Sequence, residues 1–554
     1  MNVLLINPCK PDIFPPPSLG FLNAYLRQRF SEINIRLVDI DAALELKEHE
    51  GPFDIIGVTI HSFALENVKS VFSRLSTLYR NSWWVAGGHH ASALPEQMLK
   101  LGFDQVVIGP GEIAFEEIIK GNREQKIIGK MPDDSNLLSF PDYTGLKGLW
   151  TLPLHQGGRA LPVISSRGCP FNCDFCASAN FWHRKSFVRK PENVIEEIMY
   201  YLKNDKMDSF MFEDDNFTLI PRRAIEICEA IETRIRPYYS NLKWQAASRA
   251  ESLTNDDLCH ALVNAGCTHV WLGIESGSQT MLEGCAKGTT TEKMLAGIMN
   301  AERYGLRTVG QFIVGLPGET EATIKETEEF ILKSKMSVIM VNKPWILPKT
   351  NLHTLALNTG FNDEIYFDNV PFYTIETAGK ILDKWVEQLH KAWLRSLSES
   401  FPKRFYLEKN IYLYENSNVA AAAIEIAKGL METKQFNEAV EYLSKALSFH
   451  EQSSGTNESV TAVTAEELAK CYKESGHYKE AAEYFKQAFQ YYELYYGMGN
   501  SSTRKVLAEL VYCSMRIEGI GTVRKYLITD LILIKCILKY FKKLIRNGIK
   551  KFLK

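Results

Sequence analysis

The chain has 554 residues, enough for about three or four domains. Its 45% apolar and 23% charged residues are ordinary values for a soluble globular protein. A formal net charge of −2 gives no global argument for a nucleic-acid partner, so none is expected.

The opening "MNVLLINPCK" is an apolar, strand-like run without a basic n-region or a cleavage site. We therefore expect no secretory signal and a reducing cytoplasm, which suits exposed thiolates. Residues 1–130 alternate apolar runs with amphipathic stretches such as 65–79 and 111–120. The runs "VLLIN" (3–7), "IRLVDI" (35–40), "DIIGVTI" (54–60), "WWVAGGH" (83–89) and "DQVVIG" (104–109) read as buried parallel strands. Continuous apolar strands between helices predict a doubly wound α/β sheet. Ligands of such sheets bind beyond the carboxyl ends of the strands, near the switch in strand order. Those ends carry Pro17, Ser18 and Leu19, then His61 and Ser62, then Gly87, Gly88, His89 and His90, then Gly109, Gly111 and Glu112. Glycines there let a large ligand approach the backbone, and tight-turn chemistry alone is the alternative for any single loop.

A Pro-containing linker, 131–158, leads to a second alternating series over 159–350. Its strands are "LPVISS" (161–166), "DSFMFED" (208–214), "LKWQAAS" (242–248), "THVWLGIE" (268–275), "TVGQFIVG" (308–315) and "SVIMVNK" (337–343). Helical stretches at 192–203, 221–235, 255–265, 279–285, 291–304 and 320–334 separate them. Six such repeats predict a partial (β/α)6 barrel, with its chemistry where the strands end. The loop after the first strand is "SSRGCPFNCDFC", which places Cys169, Cys173 and Cys176 at C-x3-C-x2-C spacing. Three thiolates cannot make paired disulfides, and structural zinc normally takes four ligands. An iron–sulfur cubane is usually held by four thiolates, so three would leave one iron open.

Residues 351–415 read as a helical extension. Over 416–525, "AKGLMETKQFNEAVEYLSKAL" (427–447) and "AKCYKESGHYKEAAEYFKQAF" (469–489) match at an offset of 42. Ala427 and Ala469, Phe436 and Tyr478, Ala439 and Ala481, Tyr442 and Tyr484, and Ala446 and Ala488 correspond, and a weaker third unit starts near Ser501. Small and aromatic residues so spaced let paired helices interlock, and the pattern resembles tetratricopeptide repeats in a lengthened form. Two unrelated amphipathic hairpins would not explain so many matches in register. The tail, 526–554, is apolar and lysine-rich, interrupted by Asp530 and Lys535. It fits peripheral contact with a membrane surface or an acidic partner, or a helix that caps the repeats.

The motif of Cys169, Cys173 and Cys176 resembles that of the radical S-adenosylmethionine superfamily. The resemblance implies a [4Fe-4S] cluster whose open iron takes the amino and carboxylate groups of S-adenosylmethionine, yielding a 5′-deoxyadenosyl radical. It places Phe175 beside the adenine, Glu213 and Asp214 of "FEDDNFT" near the methionyl amine, and Ser248 and Arg249 at the methionyl carboxylate. It also places Glu275 of "GIESGS" at the ribose hydroxyls or amino group, with Gly315 and Pro317 of "GQFIVGLPGET" bordering the adenine. Each polar residue alone also fits a cap or an ion pair.

Residues 1–350 as a whole resemble the subgroup of that superfamily with a flavodoxin-like, cobalamin-binding first domain. The chain departs from classical cobalamin domains in lacking D-x-H-x-x-G. This implies cobalamin bound without that histidine, or a domain that kept its fold and lost the cofactor. The implied function is a C-methyltransferase acting on an unactivated carbon of a peptide or natural-product intermediate. A radical cyclase, rearranging enzyme or epimerase is the alternative, and a repeat-based adaptor on a degenerate barrel is the non-enzyme alternative. A methylthiotransferase would call for a cysteine-rich first domain, which here holds only Cys9. The implied partners are a peptide or small-molecule substrate, an electron donor such as flavodoxin or ferredoxin, and a protein bound by the repeats.

Overall fold

A computed structural model of the chain describes residues 1–9, 16–146, 159–205, 207–368, 370–374, 376–407, 427, 431, 436–452, 458–496 and 501–518. Two compact units divide it, the first reaching Trp393 and the second holding the repeat helices. The basic tail lies outside the described residues. Among those described, no helix is long and apolar enough to cross a membrane.

Strands β1 (Asn2–Asn7), β2 (Asn34–Asp39), β3 (Ile55–Thr59), β4 (Trp83–Gly87), β5 (Gln105–Ile108) and β6 (Lys126–Ile128) form one sheet. Every pairing is parallel, in the order β2-β1-β3-β4-β5-β6. Leu4, Leu5, Ile6, Ile55, Ile56, Ala86 and Val106 are fully buried, because helices cover both faces of a parallel sheet. Helix Leu65–Leu78 buries Val68, Val71 and Leu75 at helical spacing. Helix Pro17–Arg29 begins on a proline, whose fixed φ and missing N–H suit a first turn. β6 has no readable period: Lys126 and Ile128 are exposed and only Ile127 is buried. Strand order reverses around β1, so the loops after β1 and β3 part there and open a crevice.

The second sheet starts at β7 (Ala160–Val163). Next, β8 (Ser166–Arg167) pairs antiparallel with β9 (Phe187–Val188) as a small hairpin. The parallel series resumes with β10 (Ser209–Phe212), β11 (Lys243–Ser248), β12 (Cys267–Glu275), β13 (Arg307–Ile313) and β14 (Val338–Asn342). Its order is β14-β13-β12-β11-β10-β7, an open six-stranded barrel with β7 and β14 at its edges. Phe210, Phe212, Phe217 and Trp244 pack together on the face of β10 and β11 opposite Glu213, and the Trp244 indole donates to the Ala265 carbonyl, at the end of helix Asp256–Asn264, at 2.8 Å. That face is buried against the outer helices, whereas Met211, Ala247, Trp271, Gly273 and Gln311 on the other face are only partly buried.

Beyond the barrel the chain returns to the first sheet. Tyr366 and Val370 lie in the same core cluster as Val68, Val71 and Leu75. The Gln97 amide donates to the Asp363 carbonyl at 2.9 Å, and the Tyr366 hydroxyl donates to that of Ile346 at 2.7 Å. Helix Gly379–Leu407 then buries Leu382, Leu389 and Ala392.

In the second unit, helices Phe436–Gln452, Glu458–Glu474, Tyr478–Tyr496 and Ser501–Glu518 share one core. The matched pairs Ala427/Ala469 and Ala439/Ala481 are all buried there, so small side chains mark where helices approach closely. Tyr472 and Tyr484 stack at 5.7 Å between ring centres.

Candidate functional site

The cysteines sit on the loop that the β8–β9 hairpin closes. Gly168 starts it at φ +88°, and its N–H donates to Asp215 Oδ2 at 2.8 Å. A Cβ there would lie 2.2 Å from the Lys185 carbonyl oxygen, so only glycine fits. Further on, the Asp174 N–H donates to the Cys285 carbonyl at 3.1 Å. Asn351 in turn donates its N–H to the Asp174 carbonyl at 3.0 Å and its side-chain amide to Asp174 Oδ1 at 2.6 Å. The loop is thus pinned from β8, from the stretch after β12 and from helix Asn351–Leu357.

Cys169, Cys173 and Cys176 are free and half-buried, whereas Cys228, Cys259, Cys267, Cys285, Cys471 and Cys513 are fully buried. Burial raises all three thiols, that of Cys176 to about 11. Lys287 and Arg249 pull Cys173 the other way. Among the described residues no three His, Cys, Asp or Glu side chains gather closely enough to hold a single ion. A cubane asks for something different, one thiolate on each of three irons, and three free thiols on one closed loop fit that donor set.

Around the cysteines stand the ends of β11, β12 and β13. The Arg249 guanidinium lies 3.9 Å over the Phe171 ring and donates to the Lys287 carbonyl at 2.6 Å. Glu275 ends β12 in the left-handed region at φ 64°, next to an irregularity in register. A non-glycine residue held there is strained, which fits a carboxylate aimed by its surroundings. Its Oε1 accepts from Lys287 Nζ at 2.8 Å in a buried pair. Burial disfavours the Lys287 charge, yet Glu275 and Cys173 hold its pKa above the usual value. Phe175 packs in a small core with Leu316, which brings the Gly315 turn and Pro317 to the cysteine loop. Ser248 exchanges a hydrogen bond with Thr218 at 2.5 Å and donates to its neighbour's carbonyl.

A cavity of about 390 Å³ lies between the two sheets' strand ends. Pro17, Ser18, Leu19, His61, Gly87, Gly88, His89, Gly109, Gly111 and Glu112 line one side. Ser166, Arg167, Phe181, Trp182, Glu213 and Asp215 line the other, and Leu5, Leu22, Val85, Val107 and Phe115 floor it. A Cβ at Gly87 or Gly111 would meet nothing within 4 Å, so these glycines leave open space where a side chain would stand. An apolar floor under a bare glycine rim fits a large, flat ligand. His89 stacks on Phe181 at 4.0 Å and faces His61 at 6.0 Å. Burial, then His61, pushes His89 down to about 4, so both rings are neutral. Glu213 is open to the cavity, but the enclosing walls, then Asp214, push its carboxyl up to about 7.

Three expected contacts lie elsewhere. Asp214 is buried, accepting from the Ser165 N–H and from the Ser165 and Ser166 hydroxyls, so it anchors the strand before the cysteines instead of facing a methionyl amine. His90 and Ser62 bond each other at 2.9 Å behind the cavity wall, and His90 Nε2 reaches Gln97 at 2.7 Å. Arg167, Asp215, Phe181 and Lys287 were not foreseen. Arg167 abuts the cysteine motif and Asp215 is two residues from Glu213 on the same strand end, signals available in the sequence. Lys287 belongs to no pattern.

Burial holds His90 at about 4, well below the usual 6.5. Its folded-state pKa is lowered, so the unfolded chain takes up the proton first. Stability is full above pH 6.5 and falls as the pH drops toward 4, by about 3 kcal/mol from this residue. His90→Gln keeps hydrogen-bonding capacity and removes the titration. Its urea midpoint should therefore fall less than that of the parent between pH 7.5 and 4.5.

Three family models match the chain: Radical SAM superfamily over residues 163–331, B12 binding domain over 9–119 and Tetratricopeptide repeat over 418–493. An uncharacterized methyltransferase of Pyrococcus horikoshii is 27% identical over 72% of this chain and 90% of its own length. An anaerobic magnesium-protoporphyrin IX monomethyl ester cyclase of Cereibacter sphaeroides is 26% identical over 50% of the chain, which spans 48% of that relative. The radical S-adenosylmethionine methyltransferase TsrM of Kitasatospora setae, solved with tryptophan and a cofactor analogue, shares the fold at TM-score 0.56 and 16% identity, over 70% of this chain and 82% of that one. OxsB, a cobalamin-dependent radical enzyme solved with aqua-cobalamin and S-adenosylmethionine, does so at 0.51 and 17%, over 98% and 83%.

Proposed function

We propose that this chain, a radical S-adenosylmethionine enzyme with a B12-binding first domain, transfers a methyl group to an unactivated carbon of a peptide or natural-product intermediate. The observation that carries the reading is the single cavity shared by the glycine loops of the first sheet and the residues flanking the cysteines. When bound, the cluster supplies the electron that splits S-adenosylmethionine, and cobalamin carries the methyl group.

Cys169, Cys173 and Cys176 would hold the cluster. Phe175, Ser248, Arg249, Glu275, Gly315 and Pro317 would seat S-adenosylmethionine, with Lys287 fixing the Glu275 carboxylate. Pro17, Ser18, Leu19, His61, Gly87, Gly88, His89, Gly109, Gly111 and Glu112 would border cobalamin. Phe181 and Trp182 line the cavity on the loop side and would keep water from a reactive radical there. A flavodoxin or ferredoxin would feed the cluster, and the free thiols suit a reducing cytoplasm.

The test is anaerobic reconstitution with iron, sulfide, hydroxocobalamin and S-adenosylmethionine labelled in its methyl group, followed by product mass. A product heavier by one labelled methyl supports the reading. Formation of 5′-deoxyadenosine with a product of unchanged mass would favour a rearrangement or epimerisation, and unlabelled ring closure a cyclase. The similarity to the cyclase keeps that second reading in view.

The repeats would bind a protein or peptide. Removal of residues 408–554 should spare iron content and uncoupled S-adenosylmethionine cleavage, because repeat arrays contact mainly themselves. Turnover of a large native substrate should drop about tenfold or more as its local concentration is lost. Insoluble or iron-free truncated protein would point to a bracing role instead.

A further inference from the structure

We infer that Arg167 is a corrinoid-binding residue whose guanidinium donates to an amide carbonyl on the edge of the ring seated in the cavity. The inference rests on the cobalamin reading above. Arg167 lines the cavity, and its side chain is nine-tenths buried, at 10% exposure. Its Nη1 donates to Glu112 Oε1 at 2.7 Å and touches Met131 Sδ at 3.6 Å. The guanidinium lies 4.7 Å over the Phe21 ring. These contacts fix the fork in one plane, and Nη2 is left buried with no acceptor.

A buried donor on a charged group without a partner is costly, and native structures rarely leave one unexplained. None of the neighbouring carboxylates bonds it: Asp215 accepts from the Gly168 N–H, Asp214 from two serines, and Glu197 Oε2 pairs with Arg189 Nη2 at 2.6 Å. The missing acceptor therefore belongs to whatever fills the cavity. Charge decides its kind. Arg167 and Glu112 are both buried and already neutralise each other, so an anionic acceptor would add an unpaired charge to an apolar cavity. A neutral carbonyl adds none, and a corrin ring is fringed with amides. Arg167 is also the residue before Gly168, which opens the cysteine loop, so occupancy of the cavity bears directly on the strand that carries the cluster ligands.

Full-length protein reconstituted with iron and sulfide is titrated with hydroxocobalamin and, separately, with dicyanocobinamide, which keeps the ring amides and lacks the nucleotide phosphate. Binding is read from corrin absorbance. The variants are Arg167→Met combined with Glu112→Gln, which leaves no lone buried carboxylate, together with Arg167→Lys and Glu112→Gln alone. Iron content and melting temperature report folding, and Arg167→Lys carries the test if the double variant is unstable. Both Arg167 variants should bind both corrinoids about tenfold more weakly or worse. Glu112→Gln alone, which keeps Arg167 in place, should weaken binding less than either Arg167 variant. Unchanged binding by both Arg167 variants overturns the inference. So does Glu112→Gln reproducing the whole loss, which would make Arg167 a mere support for Glu112. Weakening toward hydroxocobalamin alone would move the acceptor to the nucleotide phosphate and overturn the ring-amide assignment. A parent protein that binds neither corrinoid would sink the cobalamin reading itself, and this inference with it.

Discussion

Replacing Cys169, Cys173 or Cys176 by Ala is expected to abolish reductive cleavage of S-adenosylmethionine. The expected loss is on the order of 10³-fold or more, about 4 kcal/mol of barrier, because the electron donor is no longer assembled. Iron content should fall with it, since two thiolates leave two of the four irons without a protein ligand. The apo fold should barely respond. All three thiols are half-exposed, and the loop is held by Gly168, Asp174 and Asn351, not by the sulfurs. Removing such a group changes stability by roughly 0.5 kcal/mol. Iron analysis and a 5′-deoxyadenosine assay decide the matter, with Cys285→Ala as the comparison: Cys285 is buried beside the loop and should affect stability without removing the cluster. A cysteine variant that retained full iron and cleavage would refute the ligand assignment.

The second large effect is expected from filling the glycine rim. Gly87→Leu and Gly111→Leu should each weaken hydroxocobalamin binding about 100-fold or more, because a side chain would occupy the space the ligand needs. Neither position has a positive φ, and a Cβ at either meets nothing within 4 Å. The substitutions should therefore leave the melting temperature of the apo protein close to that of the parent. Gly88 is the contrasting control. At φ +94°, with a Cβ placed 2.8 Å from the Ile60 nitrogen, a leucine there should damage the fold itself. Uncoupled 5′-deoxyadenosine formation should survive in Gly87→Leu and Gly111→Leu, as the cysteine loop is untouched. Undiminished corrinoid binding in both would show that the ligand sits elsewhere.

Both sheets were legible because parallel strands buried on two faces are written as unbroken apolar runs, and such runs mark all but the shortest strands. β6 and the β8–β9 hairpin escaped because strands of two or three residues, few of them buried, carry no period. Single side chains were harder. Glu213 and Asp215 share the cavity while Asp214 points away, as the alternation of an extended chain requires. "FEDDNFT" shows three carboxylates in a row but not which face the ligand takes. "GGHH" likewise hides that the turn sends His89 to the cavity and His90 into the core. Lys287 stands 12 positions after Glu275, and only the bend between them reveals the pair.

The return of Tyr366 and Val370 to the first sheet sets a clock on biosynthesis. β6 ends at Ile128, so some 240 residues are added after the sheet is complete and before its core can close. At ordinary elongation rates of about 5–20 residues per second, the nascent sheet waits roughly ten to fifty seconds with the apolar patch that Tyr366 and Val370 cover left open. An isolated fragment of residues 1–130 never receives that cover and should aggregate. The intact chain should lose both α/β sheets in a single transition, since the plug of one is anchored on the other.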